Sequence, residues 1–212
     1  MAAPRVKPTF GDYIRALEAS DVPLEWIGGE IYARDAQFLD IAGGSTVHAR
    51  LTTSLASALE RAFADLPCVP TSSDQAIWID EDTTYFPDVS VTCPPLVHAE
   101  RPRHALTNPV LVGEVLSPST ADWDLGGKFR GYRGITSLRH YLTVEQTHQS
   151  VTHFERQDDG SWRMTVHGPG DVVHLRDHDV RVPVDAIYAR VELVGGPGPD
   201  TPAPGPRRAP LG

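Results

Sequence analysis

The chain has 212 residues and a formal charge of -9 at pH 7, enough length for one substantial hydrophobic core or at most two small ones. Hydrophobic residues make up 40% and charged residues 22%, as in an ordinary soluble globular protein. No apolar run is long enough to cross a bilayer. The acidic balance argues against tight nonspecific binding to nucleic acid, since phosphate contacts need Lys and Arg. A carboxylate-rich metal site or a local basic patch would soften that objection.

The segment Met1 to Lys7 lacks the apolar stretch of a secretion signal. Phe10 to Ala19 reads as a short helix with Thr9 as N-cap. Glu25 to Tyr32 reads as a hairpin, with Gly28 and Gly29 supplying the positive φ angles of its turn. Ser45 to Leu66 is the longest expected helix: Leu51, Leu55, Ala58, Leu59 and Ala62 draw one apolar stripe, and Pro67 stops it. Strands are expected near Gln75–Ile79, Asp88–Thr92 and Val110–Leu116. Asp122 to Gly134 looks helical, although Gly126 and Gly127 each weaken it by roughly 1 kcal/mol relative to alanine. His140–Val144, Val151–Arg156, Trp162–His167 and Val172–Leu175 read as strands, with a turn at Asp158-Asp159-Gly160. Helices mixed with strand runs in this order predict an α/β (α+β) fold around a mixed central sheet flanked by helices, with additional antiparallel hairpins. Residues 1–194 are expected to form the domain and residues 195–212 a disordered Gly/Pro-rich tail. Cys68 and Cys93 are the only cysteines and form no CxxC pair, so neither a disulfide framework nor a zinc knuckle is expected. A reducing cytoplasm is the expected compartment.

The chemistry concentrates in two strands. Leu111-Val112-Gly113-Glu114-Val115-Leu116 is apolar on both faces except at Glu114, the pattern of a strand in the middle of a covered sheet. An unpaired carboxylate there costs several kcal/mol unless it is neutralised, paired or bound to a cation. Upstream, Asp88 and Ser90 point away from the apolar face of Val89 and Val91. If the two strands are neighbours, Asp88 and Glu114 converge into a hard oxygen site suited to Mg²⁺ or Mn²⁺, with the backbone carbonyl of Val115 as a third ligand. Such an ion polarises a scissile phosphate and activates a water. Asp124, Lys128 and Tyr132 fall at i, i+4 and i+8, on one side of a helix starting near Ser117-Pro118-Ser119-Thr120. That helix would bring Lys128 to the acids, with Arg130 and Arg133 adding positive charge nearby.

The Glu-Trp-Ile-Gly-Gly-Glu opening, His48, Pro87-Asp88, Glu114-Val-Leu-Ser-Pro-Ser-Thr and the Asp124/Lys128/Tyr132 helix together resemble the Uma-two family, over roughly residues 10 to 190. These are bacterial proteins classed as endonucleases within the PD-(D/E)XK restriction-endonuclease-like superfamily. The resemblance implies a restriction-endonuclease-like core, Asp88 and Glu114 as metal ligands, and Lys128 in place of the superfamily's lysine two residues after the Glu, where this chain has Leu116. It also implies that Glu30 approaches the site and that His48 assists there. The expected function is metal-dependent hydrolysis of nucleic-acid phosphodiester bonds, with DNA as the partner, no membrane, and a homodimer by analogy with enzymes that cut two strands. The alternative is a catalytically silent nuclease fold that binds nucleic acid or a protein partner.

Plainer readings stand beside these. Asp88 also reads as a turn-capping acid, Glu114 as half of a buried ion pair, and Lys128 as a solvated helix residue. Glu30 also reads as an exposed turn acid, and His48 as a helix-end histidine. His174 and His178, flanked by Asp177 and Asp179, have metal-ligand spacing but read as solvated surface. No GxSxG, Walker loop or dinucleotide fingerprint supports another enzyme class.

Overall fold

A computed structural model of the chain describes residues 8–21, 24–33, 45–100, 102–117, 121 and 124–193. Its first half contains α1 (Phe10–Ala19), β1 (Leu24–Ile27), β2 (Glu30–Ala33), α2 (Thr46–Ala62), β3 (Val69–Ser72), β4 (Ile77–Asp80), β5 (Thr83–Tyr85), β6 (Val89–Thr92) and β7 (Pro109–Val115). A π-helical turn (Asp124–Lys128) and α3 (Phe129–Tyr132) lead to β8 (His140–Val144), β9 (Val151–Arg156), β10 (Trp162–His167) and β11 (Val172–Leu175). A 3-10 turn (Arg176–His178), β12 (Val180–Pro183) and α4 (Val184–Tyr188) follow. The fold is α+β with a mixed central sheet. That sheet has six strands in the order β10-β9-β8-β7-β6-β3, beside a four-stranded sheet, β2-β1-β5-β4, and the pair β11-β12.

Local chemistry sets the first elements. Thr9 and Asp12 close a capping box at the start of α1, and Gly28 and Gly29 turn the β1–β2 hairpin at φ 58° and 78°. Ser45 caps α2 by accepting from the His48 amide at 3.1 Å. The apolar stripe of α2, Val47, Leu51, Leu55, Ala58 and Leu59, is buried against the sheet. Leu55 packs so closely on Gly113 that a Cβ there would lie 2.9 Å from its Cδ2, so glycine in β7 sets the approach of α2.

Within the six-stranded sheet only β7 and β8 are parallel. Parallel neighbours need a crossover connection, and the crossover here contains the π turn and α3. Alternation along β7 splits the core between two faces. Leu111 and Val115 pack with α2, β11, β12 and α4, while Val112 packs with Tyr85, Tyr132, Leu138 and Tyr141.

Several expectations need correction. The helix expected to run to Leu66 stops at Ala62, because Phe63 leaves helical geometry and turns its ring into the core. The helix expected over Asp122–Gly134 is a π turn followed by one α turn; Ser117 lies in the described chain, whereas residues 118–120, Asp122, Trp123 and the expected tail from 195 lie outside the described residues. Strands β3, β5 and β12 and helix α4 were not foreseen. β3 and β12 each carry a proline (Pro70, Pro183), which reads against a strand, and β5 and helix α4 have only three and five residues, so local sequence shows none of the four. No disulfide framework was expected, yet Cys68 and Cys93 are joined by a disulfide. Val69 pairs with Thr92 across β3 and β6, which puts the two cysteines opposite each other one step beyond the ladder. No helix among the described residues is long and apolar enough to cross a membrane.

Candidate active site

The antiparallel β6–β7 register aligns Val89 with Gly113, and one step further brings Asp88 opposite Glu114. The Asp88 amide donates to Glu114 Oε2 at 3.3 Å, and the Val115 amide donates to Asp88 Oδ2 at 2.8 Å. Both carboxylates are buried, at 6% and 2% exposure. On the α2 side, His48 Nε2 lies 3.2 Å from Asp88 Oδ2. The start of α2 is tied to the end of β7 through Gln146, which accepts from Ser45 Oγ and donates to the Leu116 carbonyl, each at 2.8 Å.

On the other face, the crossover returns over the carboxyl end of β7. Lys128 Nζ lies 3.2 Å from Glu114 Oε1 and 3.4 Å from Asp124 Oδ1, and the Tyr132 hydroxyl donates to Glu114 Oε1 at 3.2 Å. The side chains of Asp124, Lys128 and Tyr132 therefore meet even though the helix is not a regular α-helix. Wide π turns often carry functional side chains, and Gly126 fits this one with open space around its missing Cβ. Gly131 lets the crossover settle on β5: a Cβ there would meet the Tyr85 ring at 2.8 Å.

Burial raises the Glu114 carboxyl to about 8; the Lys128 charge opposes the shift, while Asp124, Asp88 and Glu25 add to it. For Lys128, burial pulls downward, but the charges of Glu114, Glu25, Asp124 and Asp88 together raise it, so the ammonium keeps its proton. Burial also pushes Asp88 upward, and there the bond and charge of His48, the Val115 amide and Lys128 prevail and hold it below the usual carboxylate range. Tyr132, raised well above its ordinary value by burial and then by Glu114, stays a neutral donor.

Residues 10–180 match Uma2, a family described as "Putative restriction endonuclease". The chain belongs to the Uma2 (Uma-two) family. Among its relatives are two proteins of Synechocystis, both called uncharacterized. The first, sll1609, is 35% identical over 74% of this chain and 85% of its own length; the second, slr1290, is 33% identical over 88% and 94%. The fold is similar to a crystal structure from Anabaena variabilis described as "a putative nuclease belonging to DUF820". That likeness has a TM-score of 0.66 at 14% identity and covers 85% of this chain and 97% of that one.

Four of the side chains expected in the site of this Uma2 protein, His48, Asp88, Glu114 and Lys128, come together, with Val115 between the two acids. Glu30 does not join them: it is exposed on the hairpin, where it accepts from the Tyr32 hydroxyl at 3.0 Å. The hairpin acid that does face this region is Glu25, which was not singled out. Glu25 is buried, accepts from the Phe86 amide at 3.2 Å, and adds its charge to the fields on Glu114, Lys128 and Tyr132. Its signal in the sequence was weak but present, since it lies between the apolar Leu24 and Trp26 in the strand that enters the hairpin. Leu116, at the position of the superfamily's usual lysine, is a buried apolar residue.

Proposed function

We propose that this Uma2 protein is a Mg²⁺- or Mn²⁺-dependent endonuclease that hydrolyses phosphodiester bonds, with DNA as its substrate. One observation carries the reading: two buried carboxylates from neighbouring strands meet beside the ammonium of Lys128, whose side chain is only 12% exposed. The charge balance fits a divalent cation. Glu25, Asp88, Glu114 and Asp124 are all buried, Lys128 is the cation that pairs with two of them, and burial has driven Glu114 toward protonation for want of further positive charge. Carboxylate oxygens are the ligands that Mg²⁺ and Mn²⁺ prefer.

Asp88 and Glu114 would hold the ion, with the Val115 carbonyl as a further ligand. When bound, such an ion polarises a scissile phosphate and lowers the pKa of a water. The protein's own groups do the rest. Lys128 supplies a permanent positive charge against the negative charge that develops on phosphate. His48 and the Val115 amide fix the orientation of Asp88, while Tyr132 and the Asp88 amide fix that of Glu114. The neighbouring arginines Arg130 and Arg133, exposed on the crossover, offer the nucleic-acid backbone two phosphate contacts that the overall charge would otherwise discourage.

The test is cleavage of plasmid and single-stranded DNA by the wild-type chain with Mg²⁺ or Mn²⁺, beside Asp88→Asn, Glu114→Gln and Lys128→Met. Cleavage by the wild type and its loss in all three variants supports the reading. A wild type that Mn²⁺ stabilises against heat, but that cuts neither DNA nor RNA, overturns it in favour of the catalytically silent binder.

A further inference from the structure

The other end of β6 carries a second group of ligand atoms with different chemistry. Cys68 Sγ, Cys93 Sγ and one ring nitrogen of His178 all lie within 4.8 Å of one another. His178 Nε2 stands 3.5 Å from Cys93 Sγ, delivered by the 3-10 turn after β11. Far from being solvated surface, His178 is half-buried and its ring lies 5.7 Å from that of Phe63, which is 2% exposed. Cys68 belongs to the main core cluster, and Cys93 packs against it. The Nδ1 atom of His178 is shielded from solvent and has no hydrogen-bond partner among the described residues. A disulfide sulfur can only accept, so in the oxidised form Nε2 donates to Cys93 Sγ; once the disulfide is reduced, the proton can move to the unpartnered Nδ1, which opens the Nε2 lone pair to a cation.

We propose that Cys68, Cys93 and His178 form a redox-gated site for a soft or borderline divalent cation of the Zn²⁺ class. In the oxidised form the two sulfurs are bonded to each other and offer no thiolate. A dithiol reductant breaks the S–S bond with two electrons and two protons, leaving two thiols and its own disulfide. Metal binding then releases both thiol protons to solvent, and two thiolates with one neutral imidazole balance the charge of a divalent ion. Thiolate sulfur with imidazole nitrogen selects Zn²⁺ over Mg²⁺, so this site and the carboxylate site answer to different ions. They also stand apart, since the five residue steps from Asp88 to Cys93 span roughly 17 Å of extended chain. The bound ion would tie the β3 edge of the main sheet to the β11–β12 pair, a link that the disulfide alone does not make.

The experiment uses the full chain, reduced with a phosphine and desalted without air, then titrated with Co²⁺ and back-titrated with Zn²⁺. One equivalent of Co²⁺ is expected to produce a thiolate-to-cobalt charge-transfer band, which Zn²⁺ abolishes and the oxidised protein never shows. Cys68→Ser and Cys93→Ser should lose the band. His178→Ala should weaken binding about 10-fold or more, because even groups that merely orient a ligand contribute that much. Glu114→Gln should leave the band intact, which separates it from cobalt held by carboxylates. Should a cysteine variant fail to fold, the reduced wild type decides the matter by whether Zn²⁺ protects both thiols from alkylation. No band and no protection in the reduced wild type, or an affinity that His178→Ala leaves unchanged, overturns the proposal.

Discussion

The two ends of the six-stranded sheet both bury polar side chains, and they treat charge in opposite ways. At the carboxyl end of β7, Asp88 and Lys128 keep their charges because opposite charges lie within hydrogen-bond reach. At the amino end of β8, His140 and His153 share a ring-to-ring contact of 3.0 Å and are neutral. Burial pulls His140 down to about 4 against the pull of Asp177, and His153 down to about 3 against that of Glu155. Burial is nearly complete at both ends, so exposure does not explain the contrast. Counter-charge lies in reach at both, but at the histidine end it is already shared with arginines: Asp177, 3.3 Å from His140 Nε2, also pairs with Arg139, and Glu155 pairs with Arg163. On the proposals above, the end that collects carboxylates in excess would suit a hard cation, and the end that holds neutral imidazoles and sulfur a soft one.

The sharpest way to break this comparison is to remove a ligand at one end and read both. Glu114→Gln should lower DNA cleavage by about 10³-fold or more, because a metal site supplies several kcal/mol to the transition state and each 1.36 kcal/mol is tenfold in rate. Plasmid-nicking rates check the effect, and Cys93→Ser should leave those rates within a few-fold. Lys128→Met should reduce turnover by about 10²-fold, comparable to loss of one oriented donor at a developing negative charge. If Lys128→Met cleaves at the wild-type rate, the ammonium is a structural partner of Glu114 and not part of the chemistry.

The imidazole end makes its own prediction, in acid. The folded-state values of His140 and His153 lie below the ordinary 6.5, so the unfolded chain binds more protons as the pH falls. Their contribution to stability is present above pH 6.5 and is lost as the pH drops through about 4 and then about 3. The loss amounts to a few kcal/mol, and urea melts at pH 7, 5 and 4 should follow it. His153→Gln should flatten this acid limb while leaving cleavage at neutral pH unaltered. A smaller effect is expected at Gly131→Ala, where the new methyl meets the rigid Tyr85 ring. Destabilisation of about 1–3 kcal/mol is typical of overpacking, with some loss of activity as the crossover shifts Lys128. Smallest of all, Glu30→Ala should leave cleavage within twofold. A large loss there would return the exposed hairpin acid to the site.

Much of this was legible in the residues. The strands at His140–Val144, Val151–Arg156, Trp162–His167 and Val172–Leu175 are found with the expected bounds, because alternation and turn residues are local signals. Glu114 stood out as a lone acid in an apolar strand, and the spacing of Asp124, Lys128 and Tyr132 survived the change from an α-helix to a π turn. Glu25 was passed over for Glu30 because two acids in one short hairpin look alike until the sheet decides which of them is covered. The Cys68–Cys93 bond was missed for a related reason. Its partners are 25 residues apart, and one of them precedes a strand, β3, that local sequence did not reveal.

By itself, then, the amino-acid sequence determined the composition of the pieces: which segments are helix or strand, and which acids sit where only a cation or a proton could make them tolerable. Tertiary structure alone decided what those pieces face. The β6–β7 register put Asp88 beside Glu114, the crossover required by parallel β7 and β8 delivered Lys128, and the β3–β6 ladder with the turn after β11 gathered two sulfurs and an imidazole. Local periodicity reports which side of an element is apolar, whereas pairing between distant strands, set by the packing of the whole core, fixes which neighbour that side will meet.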